Sequence, residues 1–327
     1  MADEQKTILD VQHLSIAYPI SIGVVRAVED VSFTLDDGEA LGLVGESGCG
    51  KSTLGLSILK LQRPPGRVTA GKIMYRGTDI LSMSDKSLLA MRGRSIAMIF
   101  QNPLTSLNPL FTVERHFLET IRYHDAAYSR EKALAAVQTI LAVLGIEKKR
   151  LKEYPHQLSG GMRQRIMIGL ALIMNPDILI ADEPTTSLDV IVEAGFTELL
   201  LELRRLYKLS IILITHNLGL VAEIADRIAV MYAGTIMEIA TAQEIFDHPL
   251  HPYTQGLINC VPNIRVEQKE LVTMPGSPPD LVDPPAGCRF APRCPKVMDI
   301  CRVKSPSLRE HAPAHVAACW LYGKRED

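Results

Sequence analysis

At 327 residues, 47% hydrophobic and 22% charged, the chain has the composition of an ordinary globular protein, with room for one large domain plus an extension. A formal net charge of −2 excludes the basic footprint of a bulk nucleic-acid binder, so no nucleic acid is expected as partner. No apolar run reaches membrane-spanning length, the best being cut by Asn175, Asp177 and His216.

The opening Met1-Ala2-Asp3-Glu4-Gln5-Lys6 carries no basic-then-apolar leader, which predicts a cytosolic protein. In that compartment six cysteines point to metal or catalytic use rather than to structural disulfides. Ile8-Leu9-Asp10-Val11 and Val31-Ser32-Phe33-Thr34-Leu35 are strand-like, and Asp36-Asp37-Gly38-Glu39 is a turn signal. Tyr18, followed by Pro19, is an aromatic able to stack on a flat ring or to pack at a strand edge.

Ala40-Leu41-Gly42-Leu43-Val44 reads as a buried strand, and Thr53-Leu54-Gly55-Leu56-Ser57-Ile58-Leu59 has helical spacing. Between them, Gly45-Glu46-Ser47-Gly48-Cys49-Gly50-Lys51-Ser52 matches G-x-x-x-x-G-K-[ST] in full. A strand feeding a glycine-rich turn into a helix start aims backbone N–H groups and the positive helix end at one spot, as a phosphate requires. Lys51 is expected to reach the β- and γ-phosphates of a nucleotide, and the Ser52 hydroxyl to ligate Mg²⁺.

Arg63-Pro64-Pro65-Gly66 then breaks the chain, and Gly71-Lys72-Ile73-Met74-Tyr75-Arg76-Gly77 reads as a hairpin arm. Ser95-Ile96-Ala97-Met98-Ile99-Phe100 is a strand ending at Gln101, after which Asn102-Pro103 and Asn108-Pro109 mark an irregular loop. Residues 113–150 change character. Positions 131–144 alternate at helical period and Gly145 stops them, so a helical insertion is expected here. Leu158-Ser159-Gly160-Gly161 opens a second helix, over 162–174, and offers another anion site by the same dipole argument. Asn175-Pro176 closes it. Ile178-Leu179-Ile180-Ala181-Asp182-Glu183 is a hydrophobic strand ending in two carboxylates, where α/β sheets bind their ligands. Asp182 is placed to hold Mg²⁺ and Glu183 to polarise an attacking water. Ser210-Ile211-Ile212-Leu213-Ile214-Thr215 delivers His216 to a strand end, and two last strands, 227–231 and 235–238, are joined by Tyr232-Ala233-Gly234.

Together these motifs resemble one family, the ATP-binding subunits of ABC transporters. Residues 45–52 look like its Walker A loop, Gln101 its Q-loop glutamine, and Leu158-Ser159-Gly160-Gly161 its signature motif. Residues 178–183 look like Walker B, Ser187-Leu188-Asp189 the D-loop, His216 the switch histidine, and Tyr18 the adenine-stacking aromatic. Two departures stand out: Met162 where many members carry glutamine, and Asn217 where aspartate commonly follows the histidine.

The resemblance implies an α/β P-loop NTPase (RecA-like) core with an antiparallel β-subdomain and a helical subdomain over about 101–165. It implies an ATP-binding domain over 1–240 and a small cysteine-containing C-terminal extension over 241–327. ATP and Mg²⁺ are the implied cofactors, held by Gly45, Glu46, Ser47, Gly48, Cys49, Gly50, Lys51, Ser52 and Thr53, with Ser52, Gln101 and Asp182 on the metal. It further implies catalytic roles for Glu183, His216 and Gln101, and a head-to-tail pair of subunits. In that pair Ser159, Gly160 and Gly161 complete the partner's site.

Glu244-Ile245-Phe246-Asp247-His248-Pro249 and His251-Pro252-Tyr253-Thr254 lead into Gly287-Cys288-Arg289-Phe290-Ala291-Pro292-Arg293-Cys294-Pro295. This tail is similar to that of the dipeptide, oligopeptide and nickel uptake ATPases, as is Asn102-Pro103-Leu104-Thr105-Ser106-Leu107-Asn108-Pro109. Uptake of short peptides is the implied function, with nickel or another small solute as alternative, and a soluble ATPase acting on DNA or ribosomes as the remoter one. Implied partners are a second, non-identical ATP-binding subunit, two integral membrane permeases and an extracytoplasmic solute-binding protein. The implied location is the cytoplasmic face of the inner membrane.

Cys288, Cys294, Cys301 and Cys319 are spaced C-x5-C-x6-C-x17-C, without the close pairs of common zinc ribbons. A [4Fe–4S] cluster, zinc, or unliganded thiols remain open, the first being the expectation. Cys49 and Cys260 read as small packing residues.

Overall fold

The computed structural model describes residues 6–101, 107–186, 189–260 and 274–323. Asn102-Pro103-Leu104-Thr105-Ser106 and Ser187-Leu188 lie outside the described residues. The chain opens with β1 (Thr7–Ile20), β2 (Gly23–Asp36), β3 (Ala40–Val44), α1 (Lys51–Ile58), β4 (Arg67–Tyr75), β5 (Thr78–Asp79), α2 (Asp85–Met91) and β6 (Ile96–Ile99). Next come α3 (Val113–His124), α4 (Arg130–Val143), α5 (Gly160–Leu172), β7 (Ile178–Asp182), α6 (Val190–Tyr207) and β8 (Ser210–Thr215). Then follow α7 (Leu218–Ile224), β9 (Arg227–Tyr232), β10 (Thr235–Thr241), α8 (Ala242–Asp247), α9 (Pro252–Asn259), α10 (Asp299–Val303), β11 (Arg309–Ala312) and β12 (His315–Ala317). Among the described residues no helix is long and apolar enough to cross a membrane.

Two compact units emerge, the first made of Met1–Asp36, Ala40–Ser82 and Ile214–Asp327, the second of Asp37–Glu39 and Met83–Leu213. In the first, β2-β1-β4-β5 form an antiparallel sheet. A second run of strands, β11-β12-β10-β9-β3, carries the phosphate loop. β3 is buried at all five residues and pairs in parallel with β9, Leu43 facing Ala229, which is why its sequence is a continuous apolar run rather than an alternating one. β9 and β10 form the expected hairpin, and Ala233 (φ 45) with Gly234 (φ 86) supplies the left-handed pair that a two-residue turn needs. The C-terminal stretch extends this sheet, with β12 lying antiparallel on β10, Val316 opposite Ile239.

In the second unit the strand order is β8-β7-β6, with β6 and β7 parallel. The helical insertion forms. The Thr112 hydroxyl accepts the Arg115 N–H to start α3, and the Ser129 hydroxyl accepts the Lys132 N–H to start α4. Gly145, at φ 65, turns the chain out of α4 where the sequence predicted a stop. Val113, Phe117 and Ile121 line one face of α3, and Ala133, Val137, Ile140 and Leu141 the buried face of α4. Each fully buried side chain of this size contributes about 1.5–3 kcal/mol. α6 was not foreseen. Its start is the Asp189 carboxylate accepting the Val192 N–H at 2.9 Å, and Phe196, Leu199, Leu200 and Leu203 are its buried positions at helical spacing.

Candidate nucleotide site and cysteine-lined pocket

The phosphate loop follows β3 without a gap. Gly45 sits at φ 152 and Gly50 at φ 103, and a Cβ on either would lie 2.0 Å from the Met231 carbonyl oxygen or 2.2 Å from that of Ala27. Only glycine fits at these two positions. Lys51, buried at the first position of α1, points its Nζ back along the loop and donates to the carbonyls of Gly45 (2.7 Å) and Glu46 (3.0 Å). Ser52 and Thr53 follow in the first turn, at the N-terminal end of α1. Cys49 is 4% exposed and burial pushes its thiol pKa up, in keeping with a packing role.

In the second unit, β7 ends at the buried Asp182, and Glu183 follows in the left-handed region at φ 44. Gln101 Nε2 and Thr186 Oγ1 each donate to Glu183 Oε2 at 3.0 Å, so the expected metal-site glutamine and the expected base are in direct contact. Gln164 Nε2, buried in α5, donates to the Pro184 carbonyl and fixes the turn that follows. Ser159 caps α5 by accepting the Met162 N–H at 3.3 Å, and both Ser159 and Gly160 are exposed. The helix N-terminus of the signature motif therefore faces outward.

His216 stands exposed immediately after β8, as expected. Asn217 next to it is the N-cap of α7, its Oδ1 accepting the N–H groups of Gly219 (3.0 Å) and Leu220 (3.3 Å). Asparagine and aspartate serve equally as N-caps, so this departure from the family pattern preserves the local structure. Tyr18 is half-buried in β1 with its ring against the backbone of Gly66, where an added Cβ would come within 2.4 Å of Tyr18 Cε1. Tyr18 lies near the end of β1, paired with Val25 of β2.

The tail contributes contacts that the sequence did not reveal. Arg293 Nη1 and Nη2 donate to the two carboxylate oxygens of Glu46 at 2.8 and 3.0 Å, and the Tyr253 hydroxyl accepts the Glu46 N–H at 2.9 Å. Both partners of the loop are more than 200 residues away along the chain. Glu238 in β10, wholly buried, accepts the N–H groups of Leu250 (2.7 Å) and His251 (2.9 Å) and pairs with His315 Nε2 at 2.7 Å. Burial pushes the His251 ring down to about 3, and the neutral ring accepts the Tyr253 N–H at Nδ1.

Cys288, Cys294, Cys301 and Cys319 line one small cavity, beside His251, Phe290 and Trp320. The Cys288 N–H donates to the Cys301 carbonyl at 2.8 Å, which ties two of the cysteine-bearing segments together. Burial pushes the Cys288 thiol up to about 11 and raises Cys294 and Cys319 as well. A cavity lined by four sulfurs and no carboxylate suits a soft metal by donor chemistry. Among the described residues, however, no set of three or more His, Cys, Asp or Glu side chains stands in metal-holding geometry. The expectation of a metal thus gains a shared cavity but no formed ligand cage.

Residues 28–186 match the ABC transporter family, and residues 237–301 match the family described as oligopeptide/dipeptide transporter, C-terminal region. The chain is 47% identical over 323 residues to the dipeptide transport ATP-binding protein DppD of Bacillus subtilis (strain 168), covering 98% of this chain and 96% of that protein. It is 45% identical over 314 residues to the oligopeptide transport ATP-binding protein OppD of Salmonella typhimurium, covering 96% and 93%. Among solved structures, it resembles a dimer of the ATP-binding cassette MJ0796 in a post-hydrolysis state bound to ADP and Pi. There the TM-score is 0.64 at 26% identity, over 72% of this chain and 98% of that one.

Proposed function

The chain belongs to the ABC transporter ATP-binding subunits that carry the oligopeptide/dipeptide type of C-terminal region, and from this premise we propose that its ATP hydrolysis powers uptake of short peptides through an importer. The observation that carries the reading is near-full-length identity of 47% to a dipeptide transport ATP-binding protein, C-terminal region included. A nickel or other small-solute importer is the alternative within the same group.

In this reading residues 45–53 bind the ATP phosphates with Lys51 as the cation, Tyr18 stacks on the adenine, and Ser52, Gln101 and Asp182 serve the Mg²⁺. Glu183 is the general base, His216 senses the γ-phosphate, and Gln101 relays the metal site to the helical insertion of residues 101–165. Ser159, Gly160 and Gly161 close on the ATP of a second, non-identical subunit. Two helix N-termini, a lysine and Mg²⁺ neutralise the phosphates only when that interface is shut, which makes closure depend on the γ-phosphate. Two membrane permeases hold the pair at the cytoplasmic face of the membrane, and an extracytoplasmic solute-binding protein delivers cargo. The extension, residues 241–327, carries the cysteines, assigned to a [4Fe–4S] cluster with zinc as alternative; bound there, the group would cross-link segments of the tail.

Glu183→Gln in the purified importer complex tests the catalytic assignment. ATP binding is retained and phosphate release falls by about 10²–10⁴-fold. Near-normal hydrolysis in that variant sinks the role given to Glu183.

A further inference from the structure

Glu46 is held at three points, one on each of its polar groups. Its carboxylate takes the two-pronged Arg293 guanidinium, its N–H reaches the Tyr253 hydroxyl, and its carbonyl accepts Lys51 Nζ. The two outside partners come from the C-terminal region. Arg293 is not a loose surface cation. Its side chain is 5% exposed, its Nε donates to the Pro275 carbonyl at 2.8 Å, and its Nη1 also donates to the Tyr232 hydroxyl at 3.1 Å. Tyr253 is equally fixed, with ring centroids 4.6 Å from Tyr232 and 5.4 Å from Phe290. All three rings are buried.

We propose that Arg293 is a positioning residue for ATP, bracing the phosphate loop from the C-terminal region through Glu46. The inference rests on nucleotide binding at residues 45–52. Arg293 acts through another residue, because its charge is already matched by the Glu46 carboxylate and four of its five N–H donors are engaged by Glu46, Tyr232 and Pro275. What it supplies is preorganisation. A glycine-rich loop left to itself loses conformational entropy when it wraps a phosphate, and a loop already pinned at Glu46 loses less. Because Lys51 Nζ hangs on the Glu46 carbonyl, fixing Glu46 also fixes where the phosphate-binding cation starts. Arg293 immediately precedes Cys294, and His251 and Phe290 line both the cysteine cavity and the aromatic cluster behind the loop. The brace therefore carries the order of the cysteine-bearing tail to the ATP site.

The test is titration of the full-length protein with a fluorescent ATP analogue and Mg²⁺, alongside steady-state ATPase of the assembled complex. Arg293→Met should weaken nucleotide affinity about tenfold, equal to about 1.4 kcal/mol. KM for ATP should rise by a similar factor while kcat falls by less. Arg293→Lys, which keeps the charge but loses the fork, should fall between the two. Glu46→Gln should weaken binding in the same direction, and the Arg293→Met effect should shrink in that background, because the two residues act as one unit. Unchanged or tighter binding in Arg293→Met, or losses that simply add, overturns the brace. If the Arg293 variants fail to fold by circular dichroism, Glu46→Gln decides alone, and wild-type affinity in it overturns the proposal. Lys51→Ala separates the two readings. Wild-type protein that binds no better than Lys51→Ala defeats nucleotide binding itself, whereas normal wild-type binding matched by Arg293→Met defeats only the brace.

Discussion

Glu238→Ala removes a buried carboxylate that gathers three separate pieces of chain. At 0% exposure, Glu238 accepts the N–H groups of Leu250 and His251, which begin the turn into α9, and pairs with His315, the first residue of β12. Alanine leaves these three donors without their acceptor. Hydrogen bonds to charged groups are worth about 1.5–3 kcal/mol each, and breaking one partner of a buried charged set costs about 3–5 kcal/mol once neighbours relax. For a protein of this size each kcal/mol moves the melting temperature by roughly 2–4 °C, so Tm should fall by about 10 °C. Glu238→Gln keeps one acceptor oxygen but turns an NH₂ toward the other donors, so it should fall partway. Thermal unfolding followed by circular dichroism at neutral pH reads both, and amide exchange at residues 250–254 should accelerate selectively. A drop under about 3 °C in the alanine variant, or a glutamine variant worse than alanine, would refute the reasoning.

Two further predictions concern the same region. Burial lowers the His251 ring to about 3, below its ordinary 6.5, so between those values the unfolded chain binds a proton that the native protein does not. The stability His251 contributes is full above pH 6.5 and is lost as the pH falls toward 3. His251→Asn, whose side-chain oxygen can accept the Tyr253 N–H without titrating, should flatten that acid limb in urea unfolding measured against pH; equal slopes for the two proteins defeat it. For the cysteine cavity, the cluster proposed above requires that protein purified without oxygen be brown and carry about four irons per chain, lost in Cys294→Ser. Colourless protein with bound zinc transfers the site to zinc, and metal-free protein leaves four packed thiols.

What could be read from the sequence was what neighbours along the chain decide. The phosphate loop, β3 and α1 occupy one continuous stretch, and the glycines, lysine and serine specify their conformation within eight residues of each other. α4 was legible for the same reason, with Gly145 as its stop. α6 is not legible in the sequence because Asp189 stands within a motif, whereas its carboxylate also caps eighteen residues of helix. β11 and β12, with four and three residues, are too short to show an alternating pattern. The pairing of Glu46 with Arg293 spans 247 positions and depends on β12 and the aromatic cluster bringing the tail to the loop, which no local pattern announces. Asn217 looked like a departure from the family, yet capping chemistry treats it as equivalent to aspartate.

The contact between Gln101 and Glu183 joins both kinds of information. β6 and β7 are parallel, with Ile99 paired to Ala181, and in parallel pairing the register advances one for one along both strands. Two residues on from that pair, past the ends of the strands, stand Gln101 and Glu183. A hydrogen bond of 3.0 Å joins them, and Thr186 Oγ1 donates to the same carboxylate oxygen. Glu183 holds its position at φ 44, a conformation that costs of order 1 kcal/mol for a residue with a side chain and that persists when surrounding contacts over-determine it. Adding one residue between Ile99 and Gln101 would carry the glutamine out of register and sever that link while leaving β6, β7 and their apolar pairing intact.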